Sequence, residues 1–370
     1  MTMRNEVISA KRIVIKIGSS SLTDGGAGLD PSAVDRLVDV VANARKNGAE
    51  VLVVSSGAIA AGLAPLGLQS RPKDLSTQQA AASVGQGLLI HRYTESFARY
   101  GITASQVLLT TTDVVRRSHY SNAQRALFKL ISLGVVPVIN ENDTVGTSEI
   151  RFGDNDRLAA LVALLIQADL LVIVSDIDAL YDAPPSEANA HKISEVRDLN
   201  EIAEIKLGGA GSGVGSGGMV TKIDAAKIAT SAGTAMLLTS ATDLAKALAG
   251  EDLGTYFHAK TNKNSARALW LAHASSSSGK LVLDNGAVKA LTEKNVSLLP
   301  AGVVAVEGTF DAGETVDLVD DTGKVIARGI INFDSDEIPK MLGRSTKDLA
   351  AELGPEFERE LVHRDDLVIL

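Results

Sequence analysis

Over its first two-thirds the chain alternates short aliphatic runs with amphipathic stretches, and this alternation restricts the fold more than any other feature. Runs at residues 12–17, 50–55, 104–109, 135–140, 170–175 and 235–238 have the length and aliphatic character of buried strands. Between them the spacing predicts helices over 31–47, 78–100, 120–133, 158–167 and 222–232. Asp30 as N-cap, Pro31 at the first helical position and Gly48 just past the last turn bracket the first of these. Strand–helix–strand repetition demands right-handed crossovers, and therefore a mainly parallel sheet covered by helices on both faces. With only 4% aromatic residues the core must rest on Ala, Val, Leu and Ile, as strands buried on both faces require. An α/β fold is expected.

Residues 275–279 read Ser-Ser-Ser-Ser-Gly, a short linker. Beyond it, strands are expected at 303–307, 315–319 and 325–331, separated by turn signals such as Asp321-Thr322-Gly323-Lys324. The expected organisation is a first domain over 1–274 and a small, mainly β domain over 280–370. Charge divides in the same way. The chain carries a net −9, of which residues 280–370, with 10 Lys+Arg against 18 Asp+Glu, hold −8. That tail disfavours a nucleic-acid surface.

The chain has no cysteine, which removes disulfides, thiolate metal sites and a Cys nucleophile, and fits a reducing compartment. Its first eleven residues lack the apolar centre of a signal peptide. The most apolar stretch, 158–174, is broken by Gln167 and Asp169 and reads as a helix followed by a strand, not a membrane span. A soluble, cytoplasmic protein is expected.

Open parallel sheets bind ligands beyond the carboxyl ends of their strands, so strand ends carry the functional signal. The first strand ends Lys16-Ile17-Gly18-Ser19-Ser20-Ser21, where a cation, a glycine and hydroxyls suit phosphate oxygens. The plainer reading is a solvated turn after an edge strand. Ser55-Ser56-Gly57-Ala58-Ile59-Ala60-Ala61-Gly62 lets a helix approach a ligand closely, or answers tight helix–sheet packing. Two clusters of acids and amides follow, Asn140-Glu141-Asn142-Asp143 and Gly153-Asp154-Asn155-Asp156, the second placed before the helix expected from 158. They suit an amino acid's ammonium group or the ordering of lysines; helix capping explains one such acid but not two clusters. Ser175-Asp176 either faces a nucleotide or a metal-bound water, or begins a turn.

Residues 208–222 read GGAGSGVGSGGMVTK. The embedded G-x-G-x-x-G follows no strand and the Walker A spacing fails. Ending in Thr221-Lys222 as a helix begins, the run suits delivery of backbone donors and a cation to phosphate. His363-Arg364-Asp365 has the letters of a protein-kinase catalytic loop, but the chain reaches Leu370 without the asparagine that loop needs. Apart from His363 of that triplet, no histidine lies in any of these stretches. A carboxylate acceptor is already ionised at neutral pH and needs no base, so the missing histidine favours an anionic acceptor over a sugar hydroxyl.

Together KIGSSSL from Lys16, SSGAIAAG from Ser55, PVINEND from Pro137, FGDND from Phe152, SDIDALY from Ser175 and SGGMVTK from Ser216 resemble the amino acid kinase family, above all its members that phosphorylate glutamate. SLLPAGV from Ser297 and VHRDDL from Val362 resemble the PUA domain appended to many bacterial members. The resemblance implies a three-layer αβα sandwich with a small PUA-like barrel behind it. It implies transfer of the ATP γ-phosphoryl to the side-chain carboxylate of L-glutamate with Mg2+, as the first step of proline synthesis. Inhibition by proline at or overlapping the glutamate site, and a homo-oligomer (dimer or tetramer), are implied too.

By position in these stretches, Lys16 and Lys222 would bind the transferring phosphoryl and Asp156 would orient them. Ser56, Gly57, Asp143 and Asn155 would hold glutamate. Lys16, Ser175, Asp176, Ser216, Gly217, Gly218, Met219, Val220, Thr221 and Lys222 would line the ATP site, and no direct metal ligand is assigned. Ser55 and Ser216 stand where the family often has Thr, and each keeps the hydroxyl. Within the family the alternative acceptors are aspartate, N-acetylglutamate, carbamate and a nucleoside monophosphate. From another class, the alternative is an RNA-binding PUA protein, which the acidic tail opposes.

Overall fold

The structure, a computed structural model, describes residues 3–23, 28–110, 113, 117–145, 155–185, 187, 189–202, 218–260, 277–294 and 296–370. The chain divides into two units, residues 1–263 and 264–370. The expected linker at 275–279 lies partly outside the described residues.

In chain order the first unit runs α1 (Met3–Ser9), β1 (Arg12–Ile17), α2 (Pro31–Lys46), β2 (Glu50–Ser55), α3 (Ala58–Leu63), α4 (Leu75–Ala98) and β3 (Ala104–Leu109). It continues through α5 (Arg117–Ser132), β4 (Val136–Glu141), α6 (Asn155–Leu165), β5 (Leu170–Ser175), β6 (Leu180–Tyr181), β7 (Lys192–Ile193) and β8 (Glu195–Val196). It closes with α7 (Met219–Ser231), β9 (Ala235–Ser240), α8 (Leu244–Leu248) and β10 (Thr255–Phe257).

Eight strands form one sheet in the order β3-β4-β2-β1-β5-β9-β10-β8. Every pair is parallel except β9 with β10. β1 therefore lies inside the sheet, with Lys16 in register between Val54 of β2 and Ile173 of β5. The edge-strand reading of Lys16 is overturned.

Side chains of a strand alternate between its faces. Ile13, Ile15 and Ile17 enter one core with Val38 of α2 and Leu89 and Phe97 of α4. The intervening Val14 and Lys16 take the opposite face, where α6 lies across β1 and packs on α7. Helices on both faces make the three layers, and the alternation sends Lys16 to the α6 side.

The ends of α2 follow the sequence signals. The Asp30 carboxylate accepts from the Ser32 N–H at 2.8 Å, and Gly48 takes φ +89° past the last turn. α6 and α7 each begin three residues before the expected 158 and 222, so Asn155, Asp156 and Thr221 lie in first turns and not ahead of them. Polar side chains are tolerated there because the first N–H groups have no helical partner. The SSGAIAAG stretch folds as a turn and the short helix α3. Gly57 takes φ +102°, a left-handed conformation that favours glycine. Gly62 answers helix–helix contact instead of helix–sheet contact: a Cβ there would overlap the Ala81 carbonyl, and one at Gly85 the Ala58 carbonyl. α3 and α4 thus meet backbone to backbone.

The second unit comprises β11 (Gly279–Leu283), α9 (Asn285–Lys294), β12 (Val303–Gly308), β13 (Thr315–Val319), β14 (Val325–Ile330), α10 (Thr346–Leu353) and β15 (Leu367–Ile369). Its sheet order is β12-β11-β13-β14-β15, around a separate core that includes Leu281, Phe310, Leu318, Ile338 and Val362. At the expected turn the Asp320 carboxylate accepts from the N–H groups of Thr322 and Lys324, and Gly323 takes φ +82°. His363-Arg364-Asp365 leads into β15 within this unit. Among the described residues no helix is long and apolar enough to cross a membrane.

Candidate active site

Three elements deliver three charges to one point. Lys16 comes from the penultimate residue of β1, Asp156 from the first turn of α6, and Lys222 from the first turn of α7. Lys16 Nζ stands 2.6 Å from Asp156 Oδ1, and Lys222 Nζ stands 3.1 Å from Oδ2. The Thr221 hydroxyl lies 2.9 Å from the same Oδ2 and 2.9 Å from the Gly218 carbonyl, and donates to one of them at a time. The side chains of Lys16, Asp156 and Lys222 are all less than a tenth exposed. Burial alone would push the Asp156 carboxyl up, but the flanking ammonium groups outweigh it and hold it down at about 2.

One carboxylate between two lysines leaves a single net positive charge. Each ammonium has three N–H donors and Asp156 can engage only part of them, so donors remain on both for an anion. α7 opens on Gly218, which has no side chain to cap the helix, so its first N–H groups and its dipole add to the same positive field. The arrangement suits phosphate oxygens.

Asn155, the residue before Asp156, begins a second network. Its Nδ2 donates to Ser56 Oγ at 2.8 Å and to Asn140 Oδ1 at 3.3 Å. Asn140 Oδ1 also accepts from the Glu141 N–H at 2.9 Å, and Asn140 Nδ2 donates to Gln86 Oε1 at 2.7 Å. Asn155 Oδ1 is buried with no hydrogen-bond partner among the described residues. Gln86 in turn lines a cleft of about 260 Å³ shared with Gln106, Glu141, Asn142, Asp143 and Thr144. In that cleft burial raises the Asp143 carboxyl to about 6, against the pull of the Arg71 guanidinium.

The structure thus joins Lys16, Asp156, Lys222 and Thr221 in one cluster, and Ser56 and Asn155 in a second that leads to Asp143 through Asn140 and Gln86. Gly57 forms the turn beside Ser56. Ser175 Oγ donates to Asp176 Oδ1 at 3.0 Å and accepts from the Ile177 N–H at 3.4 Å, so this pair does build a turn at the end of β5. Met219 and Val220 occupy the first turn of α7 after Gly218. Ser216 and Gly217 lie outside the described residues, as do Gly153 and Asp154. Gln86 carried no sequence signal. It sits mid-helix, 54 residues from its partner Asn140.

Among the described residues no group of three or more His, Asp or Glu side chains gathers to hold a metal ion. Asp156, the buried acid of the cluster, turns both oxygens to lysines. These residues fit phosphate oxygens and do not form a protein-held Mg2+ site.

The profile of the amino acid kinase family matches residues 11–240, and that of the PUA domain residues 279–353. A glutamate 5-kinase of Streptomyces coelicolor is 60% identical over 368 residues, spanning 99% of this chain and 98% of that protein. A glutamate 5-kinase of Salinispora arenicola is 58% identical over 369 residues and the whole of both chains. One of Bifidobacterium animalis subsp. lactis is 48% identical over 369 residues, 100% of this chain and 98% of that one. On these matches the chain belongs to the amino acid kinase family and carries a PUA domain behind its kinase domain.

Proposed function

We propose that the chain transfers the γ-phosphoryl group of ATP to the side-chain carboxylate of L-glutamate, giving L-glutamyl 5-phosphate and ADP. The observation that carries this reading is the buried Lys16–Asp156–Lys222 cluster, one residue along α6 from the Asn155 amide network. The full-length similarity to glutamate 5-kinases supports the choice of acceptor.

In the transfer a glutamate carboxylate oxygen bonds to the γ-phosphorus as the bond to the β–γ bridging oxygen breaks, and ADP leaves with that electron pair. The acceptor is ionised at neutral pH, so no proton has to be removed. Catalysis is then positioning and charge stabilisation. Lys16 and Lys222 meet the charge spread over the transferring group, and Asp156 keeps both ammonium groups in place. Asn155 Oδ1 and Asp143 accept from the substrate ammonium, with Ser56 and Gly57 beside them. Ser175, Asp176 and residues 216–222 line the nucleotide. Mg2+ would arrive with ATP and offset phosphate charge, and no residue is assigned to it. The kinase domain over 1–274 holds both sites, ahead of the PUA-like domain over 280–370. The reading extends to proline synthesis in the cytoplasm, to inhibition by proline overlapping the glutamate site, and to a homo-oligomer.

A panel of acceptors tests it. ADP release is measured on L-glutamate, aspartate, N-acetylglutamate, carbamate and a nucleoside monophosphate, each with and without proline. Turnover on glutamate alone, suppressed by proline competitively, is expected. Faster release on any other acceptor overturns the assignment.

A further inference from the structure

We infer that Gln86 is a further substrate-recognition residue, its Nε2 amide donating to the α-carboxylate of the acceptor amino acid. The inference rests on the glutamate reading above and adds a contact to it.

The orientation of Gln86 follows from a group that cannot be reversed. The Glu141 backbone N–H can only donate, so the Asn140 oxygen faces it at 2.9 Å. Asn140 Nδ2 must then point the other way, to Gln86 at 2.7 Å, and the Gln86 atom that receives it is the oxygen. Gln86 Nε2 is left as the free end of the chain of amides. It has no hydrogen-bond partner among the described residues, and Gln86 is only 8% exposed. An unpaired buried donor is destabilising, so buried donors are retained where something pairs with them.

The cleft lined by Gln86 also holds Asp143. A carboxylate and an amide donor in one cleft match the two α-substituents of an amino acid, ammonium to Asp143 and carboxylate to Gln86. Without such a donor the Asp143 anion would repel the α-carboxylate that accompanies the ammonium it binds. Gln86 is also firmly held. Gly85 beside it sits against the Ala58 carbonyl, so α4 cannot slide on α3. The exposed Arg71, which acts on Asp143 through its charge, is the competing cation for that carboxylate.

Gln86→Glu is the informative variant, because it keeps an oxygen for Asn140 Nδ2 and replaces only the free donor. The full-length enzyme is assayed on L-glutamate and on its α-carboxamide analogue L-isoglutamine, the latter as substrate or as competitor. A hydrogen bond to a charged group is worth about 1.5–3 kcal/mol, roughly a 10–100-fold change. Gln86→Glu is expected to raise KM for glutamate by about that factor, with kcat within about threefold. Affinity for the α-carboxamide should change less than about threefold, so the preference for glutamate falls by at least about threefold. Gln86→Met, which cannot donate, should shift the preference in the same direction. An unaltered KM for glutamate, or an equal loss for both compounds, overturns the contact. So does a preference that survives in both variants and disappears in Arg71→Ala. A wild-type enzyme that does not phosphorylate glutamate would instead refute the underlying reading, before any variant is compared.

Discussion

Replacing Asp156 by asparagine removes one charge and almost no volume, so it isolates what the shared carboxylate does. In the native site two ammonium groups lie 2.6 and 3.1 Å from its oxygens. With an effective dielectric constant of about 20, each pair gains roughly 5–6 kcal/mol before desolvation is counted. Desolvation of three buried ions takes back much of that. The carboxyl is still held down from 3.8 to about 2, so a favourable remainder of a few kcal/mol, roughly 2–3, survives. Asparagine loses this and also leaves two buried ammonium groups facing each other. Removing one partner of a buried ion pair costs about 3–5 kcal/mol.

In a domain of this size each kcal/mol moves the midpoint by about 2–4 °C, so the melt of Asp156→Asn should fall by roughly 6–20 °C. Circular dichroism of the full chain at neutral pH reads it, and kcat is taken well below both midpoints. Because the folded carboxyl is depressed, its contribution is present above 3.8 and is lost as pH falls from there towards about 2. The variant's deficit should therefore be complete at pH 7 and close only in strong acid. In a Lys222→Met background the same substitution should cost less, since one ammonium is left unpaired instead of two. A midpoint within about 2 °C of wild type, with kcat within about threefold, would refute the reasoning.

Lys16→Ala and Lys222→Ala should each lower kcat by about 10²–10³-fold while leaving KM for glutamate within about threefold, the pattern of a contact made in the transition state. A raised KM with kcat retained would remove either lysine from that role. Burial raises the Asp143 carboxyl to about 6, so below that pH it is protonated and cannot accept an ammonium group. kcat/KM for glutamate should climb with pH and level off above about 6, and Asp143→Asn should raise KM and flatten the climb. A limb that persists in the variant assigns the titration elsewhere. Gly85→Ala places a methyl group against the Ala58 carbonyl and should cost about 1–3 kcal/mol in a denaturant melt, whereas an unchanged midpoint would mean that α3 and α4 can part freely.

What the sequence disclosed depended on how local the cause was. β1, β2 and β5 have the bounds expected from their aliphatic runs, because a strand buried on both faces is written continuously in the chain, and the half-exposed edge strand β3 keeps its expected bounds too. The starts of α6 and α7 were placed late, because Asn155, Asp156 and Thr221 read as turn residues until the sheet supplies the cluster that uses them. α3 was legible only as a string of small residues, since the partner that makes Gly62 necessary is Ala81 on another helix. β8 and β10, at two and three residues, are too short for periodicity to register. The burial of Lys16 was undecidable locally. It follows from β5 pairing beside β1, and β5 begins at Leu170, far along the chain.

The adjacency of Asn155 and Asp156 has a mechanical consequence. One residue along a helix is a rise of about 1.5 Å, so the amide that leads to the Gln86–Asp143 cleft and the acid that holds both lysines are set on a single rigid ruler. Reacting atoms must come within about 3–3.5 Å in line, and an error of about 1 Å is costly. A loop would have to be ordered to meet that tolerance. The first turn of α6 meets it through the packing of the whole helix, whose residues from Leu158 to Leu165 are buried without exception. α6 lies across β1, β2, β4 and β5, and the strands whose carboxyl ends carry Lys16 and Asn140 and lead into Ser56 are therefore registered against the same element. Any force that shifts α6 along the sheet must move the lysine cluster and the amide network together. Their spacing is thus protected by the core, and the chemistry is left to depend on charge.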